Sequence, residues 1–344
     1  MNNENKIRGG DGTKTKEITT IMLTLLLASM LSMAFNVAPA AAASSGGIVG
    51  LWHFDTVDMT VSPYTTPDSS GKGNTAYLYP VVSEPSLVDG KFGKALSFDG
   101  SDDYVEVQDS DSLKPTSAIT VEAWWKAETW GPTSYPPIVK KAGDTTGYGM
   151  EAHSDGTVWF GVVVDGAWRI AIYTGPVSLG TWYHTVGVYN GSKVTIYVNG
   201  EEGTPTYISG PISHTDNDLH IGHDPANPDR YFDGIIDEVC IWNVALTPKQ
   251  IEARYTALEL KAEINALTAD DFKKPKLTEQ RKKTLCNKIN AVIHQIEAGA
   301  YKGAIKKLEK DIRPKLDATK RSWVVAPKPE ILEMIDSIIS ILGS

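Results

Sequence analysis

The sequence predicts a mainly β chain: a two-sheet antiparallel sandwich over residues 44–246, followed by a small C-terminal α-helical bundle. Three observations predict it. From Ile48 to Trp242 the chain is a procession of short segments such as KALSFDG, YVEV, ITVEAWW and KVTIYVNG. These alternate in polarity and are punctuated by Gly, Asn, Asp and Pro, with no helical period between them. At Thr247 the period changes to that of amphipathic helices, and each helix carries one apolar stripe that must pack against another.

The elements follow in order. Lys14 and Lys16 precede an apolar run from Ile18 to Phe35 and then Ala41-Ala42-Ala43. This reads as a secretory signal over residues 1–43 with an A-x-A cleavage site, so the mature chain is expected to begin near Ser44 and to be secreted or surface-attached. Membrane contact is expected only if that segment is retained as an anchor. In VEAWWK, residues 121–126, alternation puts Trp125 with the core set of Ile119, Val121 and Ala123, while Trp124 lies on the face of Glu122 and Lys126. Trp124 therefore becomes a candidate ligand platform. Tyr183–Tyr189 and Val194–Asn199 form a hairpin across a tight Asn190-Gly191 turn. Thr247-Pro248-Lys249-Gln250 is a capping box with proline at the first helical position, opening a connecting helix over 247–269. Leu285, Ile289, Val292, Ile293 and Ile296 mark a second helix. Tyr301, Ile305, Leu308 and Ile312 mark a third, interrupted at Pro314, and Pro329 starts the last, so residues 270–344 are expected to form the bundle.

Composition bounds the function. The chain has 344 residues, 41% hydrophobic and 22% charged, which is ordinary for a globular protein of about two domains. Residues 44–250 carry 11 Lys and Arg against 26 Asp and Glu, a balance that repels nucleic acid. Residues 251–344 are mildly basic, but their lysines are spread along helices as solvated faces. Two cysteines exclude a disulfide scaffold. A bridge between Cys240 and Cys286 would be worth up to ~4 kcal/mol; two buried thiols fit the same positions equally well.

The segments GLWHFD, DSSGKGN, GKFGKALSFDGSDDYVEV, ITVEAWWK, WYHTVGVYNGSKVTIYVNG and RYFDGIIDEVCIWNVALTPKQI together resemble the laminin-G-like, concanavalin A-like jelly-roll domains. The resemblance implies a jelly roll of two curved sheets. It also implies a structural calcium ion, with Asp55, Asp99 and Asp237 at the matching positions and the carbonyl of Gly100 as a further oxygen ligand. Asp237 shares the parity of Val239 and Ile241, so its carboxylate is expected to face the interior and to need a partner. Asp102, Asp103, Glu106, Asp109 and Asp111 read as a solvated acidic edge.

Carbohydrate binding is the second implication. Eight of the nine tryptophans precede residue 250, and sugars stack their CH-rich faces on such rings while their hydroxyls bond to polar side chains. Trp52, Trp125 and Trp182 read as core. The binding candidates are Trp124, Trp130 and Tyr135 in the loop WGPTSYPP, and Trp168 with Arg169, although each also fits a structural role. His214, His220 and His223 offer no convergent set of donors for zinc; the loop IGHDP departs from the family's usual residues and is a place for specificity. The E-x-D-x-x-E pattern of jelly-roll glucanases is absent, as are other catalytic motifs. The expectation is a non-catalytic module for an extracellular glycan, with calcium. The alternatives are an adhesive protein that binds a surface protein, and a glycoside hydrolase with an unrecognised site.

Overall fold

The computed structural model describes residues 47–131, 133–317 and 321–344. The expected signal segment, residues 1–43, lies outside the described residues. Among those described are seventeen strands: β1 (Ile48–Trp52), β2 (Thr65–Thr66), β3 (Ala76–Tyr79), β4 (Ser86–Asp89), β5 (Lys94–Asp99) and β6 (Tyr104–Val107) come first. They continue with β7 (Ile119–Ala127), β8 (Pro137–Gly143), β9 (Thr146–Ala152), β10 (Val158–Val164), β11 (Ala167–Tyr173) and β12 (Tyr183–Tyr189). The last are β13 (Lys193–Val198), β14 (Glu201–Glu202), β15 (Thr206–Tyr207), β16 (Leu219–Ile221) and β17 (Asp233–Trp242). Five α-helices follow: α1 (Pro248–Ala266), α2 (Thr278–Glu297), α3 (Tyr301–Lys307), α4 (Arg313–Leu316) and α5 (Pro329–Gly343).

The strands form the expected sandwich. One sheet has nine strands in the order β14-β13-β12-β7-β17-β5-β4, with β1 on β17 and β15 on β13; the other has eight in the order β11-β10-β9-β8-β16-β6-β3-β2. Between them lies a core that includes Trp52, Phe98, Trp125, Tyr148, Phe160, Tyr189 and Phe232. Burial on this scale is the main stabilising term of the sandwich.

The helices cover the outer face of the nine-stranded sheet. The capping box forms as read: Gln250 N donates to Thr247 Oγ1 at 3.3 Å and Thr247 N donates to Gln250 Oε1 at 2.9 Å. Helix α1 does more than connect. It packs against both α2 and α5 and, through Ala253, Ala257 and Leu258, shares one apolar cluster with Phe92 and Trp124 of the sandwich. Beside it Ile251 and Leu246 close over Val186, Val188, Tyr197, Cys240 and Trp242. The third predicted helix runs from α3 through a π turn at Leu308–Ile312 into α4. The extra residue in that turn accommodates Pro314, which has no amide hydrogen to give the ladder.

Two expectations are corrected, and of the two readings of the cysteines the free thiols are found. Trp124 does sit on the face opposite Trp125, yet it is only 1% exposed, packed edge-on against Phe92 at 5.5 Å and stacked on Tyr255 of α1 at 6.1 Å. Its neighbour Glu122, part of the polar face read from sequence, is itself buried and bonds to the buried His184. The disulfide does not form. Both cysteines are free and buried, with Cys240 beneath Ile251 and Cys286 inside the bundle, where its Sγ donates to Asn265 Oδ1 at 3.0 Å. Finally, alternation fails at Asp237. The pairing of β17 with β7 slips between Asp237 and Cys240, and Glu238 takes φ of +50° there, as at a β-bulge. Asp237 thus lies opposite Trp124 on the outer face, under the turn whose Phe92 N donates to its Oδ2 at 2.9 Å.

Candidate functional site

With helices on one sheet, the outer face of the eight-stranded sheet is the one the fold leaves open, and its side chains follow from register. Glu106, His220, Lys140, Gly149, Gly161 and Ile170 are successive cross-strand partners from β6 to β11. They therefore share one face. A cavity of about 280 Å³ lies on that face, floored by Gly149 and Gly161 and flanked by Trp159 and Trp168. Glycine keeps its floor open: a Cβ at Gly149 would come within 2.3 Å of Lys140 Cδ and displace that side chain, and one at Gly161 would meet Trp168 Cε3 at 3.0 Å.

Four charged side chains form its polar wall. Lys140 Nζ lies 3.4 Å from Glu151 Oε2 and 3.6 Å from Asp224 Oδ2, and 4.9 Å over the Trp168 ring. Arg230 bridges the same two carboxylates, donating from Nη1 to Asp224 Oδ2 at 2.9 Å and from Nη2 to Glu151. Asn227 Nδ2 donates to Asp224 Oδ2 at 3.0 Å. Burial pushes the Glu151 carboxyl up, but His153, Lys140 and Arg230 outweigh it and hold the group down at about 2. Trp159 lines the other side, with His153 stacked on its ring at 4.0 Å and Tyr135 edge-on to His153 at 4.7 Å.

The sequence candidates distribute unevenly over this geometry. Trp168 lines the cavity. Tyr135, 48% exposed, stands at its margin, with Arg230 5.6 Å from its ring and its carbonyl accepting from Arg230 Nη2 at 2.6 Å. Arg169 pairs with Val162 and so faces the other way from Trp168, and its Nε is buried without a partner. Trp130 packs half-buried against the sandwich core. Lys140, Glu151, Trp159 and Arg230 were not singled out. The period-two pattern Gly149, Glu151 on one strand and Trp159, Gly161 on the next is a signal for four of the site's positions. Asp224 does come from the IGHDP loop.

The four calcium candidates split into two places. Asp55 Oδ1 accepts from Lys94 N at 2.9 Å, close to Asp237 at one end of β5. Burial and the neighbouring Glu238 push the Asp237 carboxyl up to about 8, and its Oδ1 has no partner. Asp99 and Gly100 lie at the other end of β5, about 17 Å along the strand from Lys94, and so cannot share an ion with Asp55 and Asp237. Asp99 instead joins Asp102 and Asp103, whose carboxylate oxygens lie within 4.8 Å of one another. Asp103 is not part of a solvated edge: it is buried, its Oδ1 has no partner, and burial together with Asp99 pushes it up to about 7.

The sandwich has a two-sheet antiparallel jelly-roll architecture. Residues 99–252 match a laminin-G family model described as the concanavalin A-like lectin/glucanases superfamily. No curated protein matches the chain. Among solved structures, domain 4 of AbnA, a GH43 extracellular arabinanase from Geobacillus stearothermophilus in complex with arabinotriose, is similar at 21% identity and TM-score 0.47 over 61% of this chain and 98% of that one. The binding domain of Paraclostridial Mosquitocidal Protein 1 is similar at 16% identity and TM-score 0.51, over 65% of this chain and 54% of that one. The botulinum neurotoxin serotype G binding domain follows at 12% and 0.49, over 66% and 53%.

Proposed function

We propose that this chain is a secreted or surface-attached, non-catalytic module that binds carbohydrate in the cavity between Trp159 and Trp168. The observation that carries the reading is the cavity itself, where two indoles flank a glycine floor beside paired polar groups. Flat apolar rings suit the CH faces of a sugar, and Glu151, Asp224, Asn227 and Arg230 suit its hydroxyls. The ion pairs support binding over hydrolysis. A general acid must hold a proton near the working pH, whereas Glu151 is held at about 2. Secretion rests on the N-terminal sequence; among the described residues no helix is long and apolar enough to cross a membrane.

The test is a screen of arabinan, xylan, cellulose and mixed-linkage β-glucan by affinity electrophoresis. Retardation by at least one of them is expected, with Trp168→Ala weakening it on the order of tenfold, the worth of one good aromatic contact. Binding untouched by Trp168→Ala would place the ligand elsewhere, and release of reducing sugar would make the chain a hydrolase.

A calcium ion is proposed as a structural partner at Asp99, Asp102 and Asp103. Three carboxylates and an unpaired buried oxygen suit a hard cation, and the two carboxylates at Asp55 and Asp237 make a poorer set. Calcium is expected to raise the melting temperature by several degrees over chelator, and Asp103→Asn to abolish the difference. An equal rise in that variant would remove the ion from this loop.

A further inference from the structure

Beyond the cavity, the same sheet face and the loop after β16 carry five rings in successive contact that the sugar site does not use. Tyr79 stacks on Tyr104 at 5.2 Å and Tyr104 on His220 at 4.9 Å, while His220 lies 5.0 Å from His223 and His223 stacks on Tyr231 at 4.4 Å. The ladder begins where the cavity ends, since His220 is the direct cross-strand partner of the cavity residue Lys140. We propose that this ladder is a second subsite and that the ligand is an uncharged polysaccharide chain lying across the sheet from Trp168 to Tyr79, not a single terminal sugar.

The dimensions set the length of the ligand. From β11, which carries Trp168, to β3, which carries Tyr79, there are six inter-strand steps, or about 29 Å. One sugar ring covers only part of such a face. The chemistry of the ladder fits hydroxyl-rich ligand. The faces of the middle rings are occupied by one another, but the phenol hydroxyls of Tyr79, Tyr104 and Tyr231 have no protein partner among the described residues, and each is able to donate and to accept.

Charge selects a neutral chain. Burial pushes His220 down to about 3, and His223 down as well, so the imidazoles add no positive charge at neutral pH; their Nδ1 atoms share one hydrogen bond at 2.7 Å. Lys140 and Arg230 are already balanced by Glu151 and Asp224. Glu106, next to His220 across the sheet, adds an acid. Among the described residues of the cavity and the ladder, no cation is left over to attract phosphate, sulfate or uronate groups.

This inference rests on the cavity being a carbohydrate site, and the experiment separates the two. Cello-, xylo- and arabino-oligosaccharides of one to six residues are titrated calorimetrically into the full chain, its Tyr104→Ala variant and its Trp168→Ala variant. Tyr79→Ala, at the outer end of the ladder, serves as a second probe should Tyr104→Ala melt early. The expected result is affinity that rises with length by about tenfold or more. Tyr104→Ala and Tyr79→Ala should bring the longest ligand down to the affinity of the short ones and leave the short ones unchanged, whereas Trp168→Ala weakens every length. Affinity that is independent of length and indifferent to both tyrosine variants overturns the second subsite while the cavity stands. Binding that ignores Trp168→Ala, or no binding by any of these sugars, overturns both.

Discussion

Arg254→Ala is expected to destabilise the protein by about 3–5 kcal/mol, because it strips the partner from a carboxylate buried beneath the helices. Arg254 donates from Nε to both oxygens of Glu122, at 3.0 and 2.8 Å, and from Nη1 to Glu297. Glu122 Oε1 also bonds to His184 Nε2 at 2.6 Å. Burial opposes charge on Glu122, but Arg254 and His184 prevail and hold its carboxyl below its usual range. Without the guanidinium, burial wins and pushes that carboxyl above its unfolded value. A group with a raised folded pKa contributes stability at low pH and loses it as pH rises, so the cost of the variant should be smaller at pH 5 than at pH 8. Urea denaturation at both pH values measures this. The double variant Glu122→Gln, Arg254→Met should cost less than the sum of its single changes, since each single change leaves a charge stranded. Additive, pH-independent losses would mean that the pair is not the joint between sandwich and helices.

The same network explains which parts of the molecule were legible in sequence. Alternation, turn residues and the Thr247 capping box are local, and each element they indicated is present within a few residues. What alternation specifies is which side chains oppose one another, not what covers them. Glu122, Trp124 and Lys126 read as an outward polar face, and outward they are. Whether that face meets water was decided by Ile251, Arg254 and Tyr255, more than a hundred residues later. The error at Asp237 has a different origin: a single bulge at Glu238 inverts the parity of everything beyond it. The cavity was half legible. Trp168 was visible as an aromatic beside a turn, but Lys140, Glu151 and Arg230 are ordinary surface residues until β8, β9 and the loop after β16 bring them together. Likewise Asp99 was grouped with Asp55 and Asp237 as one ion site, and the length of β5 is what separates it from them.

Trp124→Ala is expected to cost about 3–5 kcal/mol, the range for removing a large buried aromatic side chain, and to leave sugar binding intact. The indole fills the space between β7 and α1. It meets Phe92 edge-on, His184 at 4.9 Å and Tyr255, with Lys91 Nζ 4.5 Å from its ring. Its Nε1 has no hydrogen-bond partner, so its contribution is packing and not polar, and Trp124→Phe should recover much of the loss. Trp168 lies on the other sheet, across a core about 10 Å thick. The two tryptophans therefore predict opposite signatures. Trp124→Ala should lower the urea midpoint with the affinity of the folded fraction unchanged, and Trp168→Ala should lower affinity with the midpoint nearly unchanged. A Trp124→Ala protein that is stable but no longer binds would restore the nine-stranded sheet as the ligand face and require the helices to move aside for the ligand. That outcome is disfavoured by the arrangement around α1, because exposing Trp124 would also uncover the Glu122–Arg254 pair and the apolar cluster that α1 shares with α2 and α5.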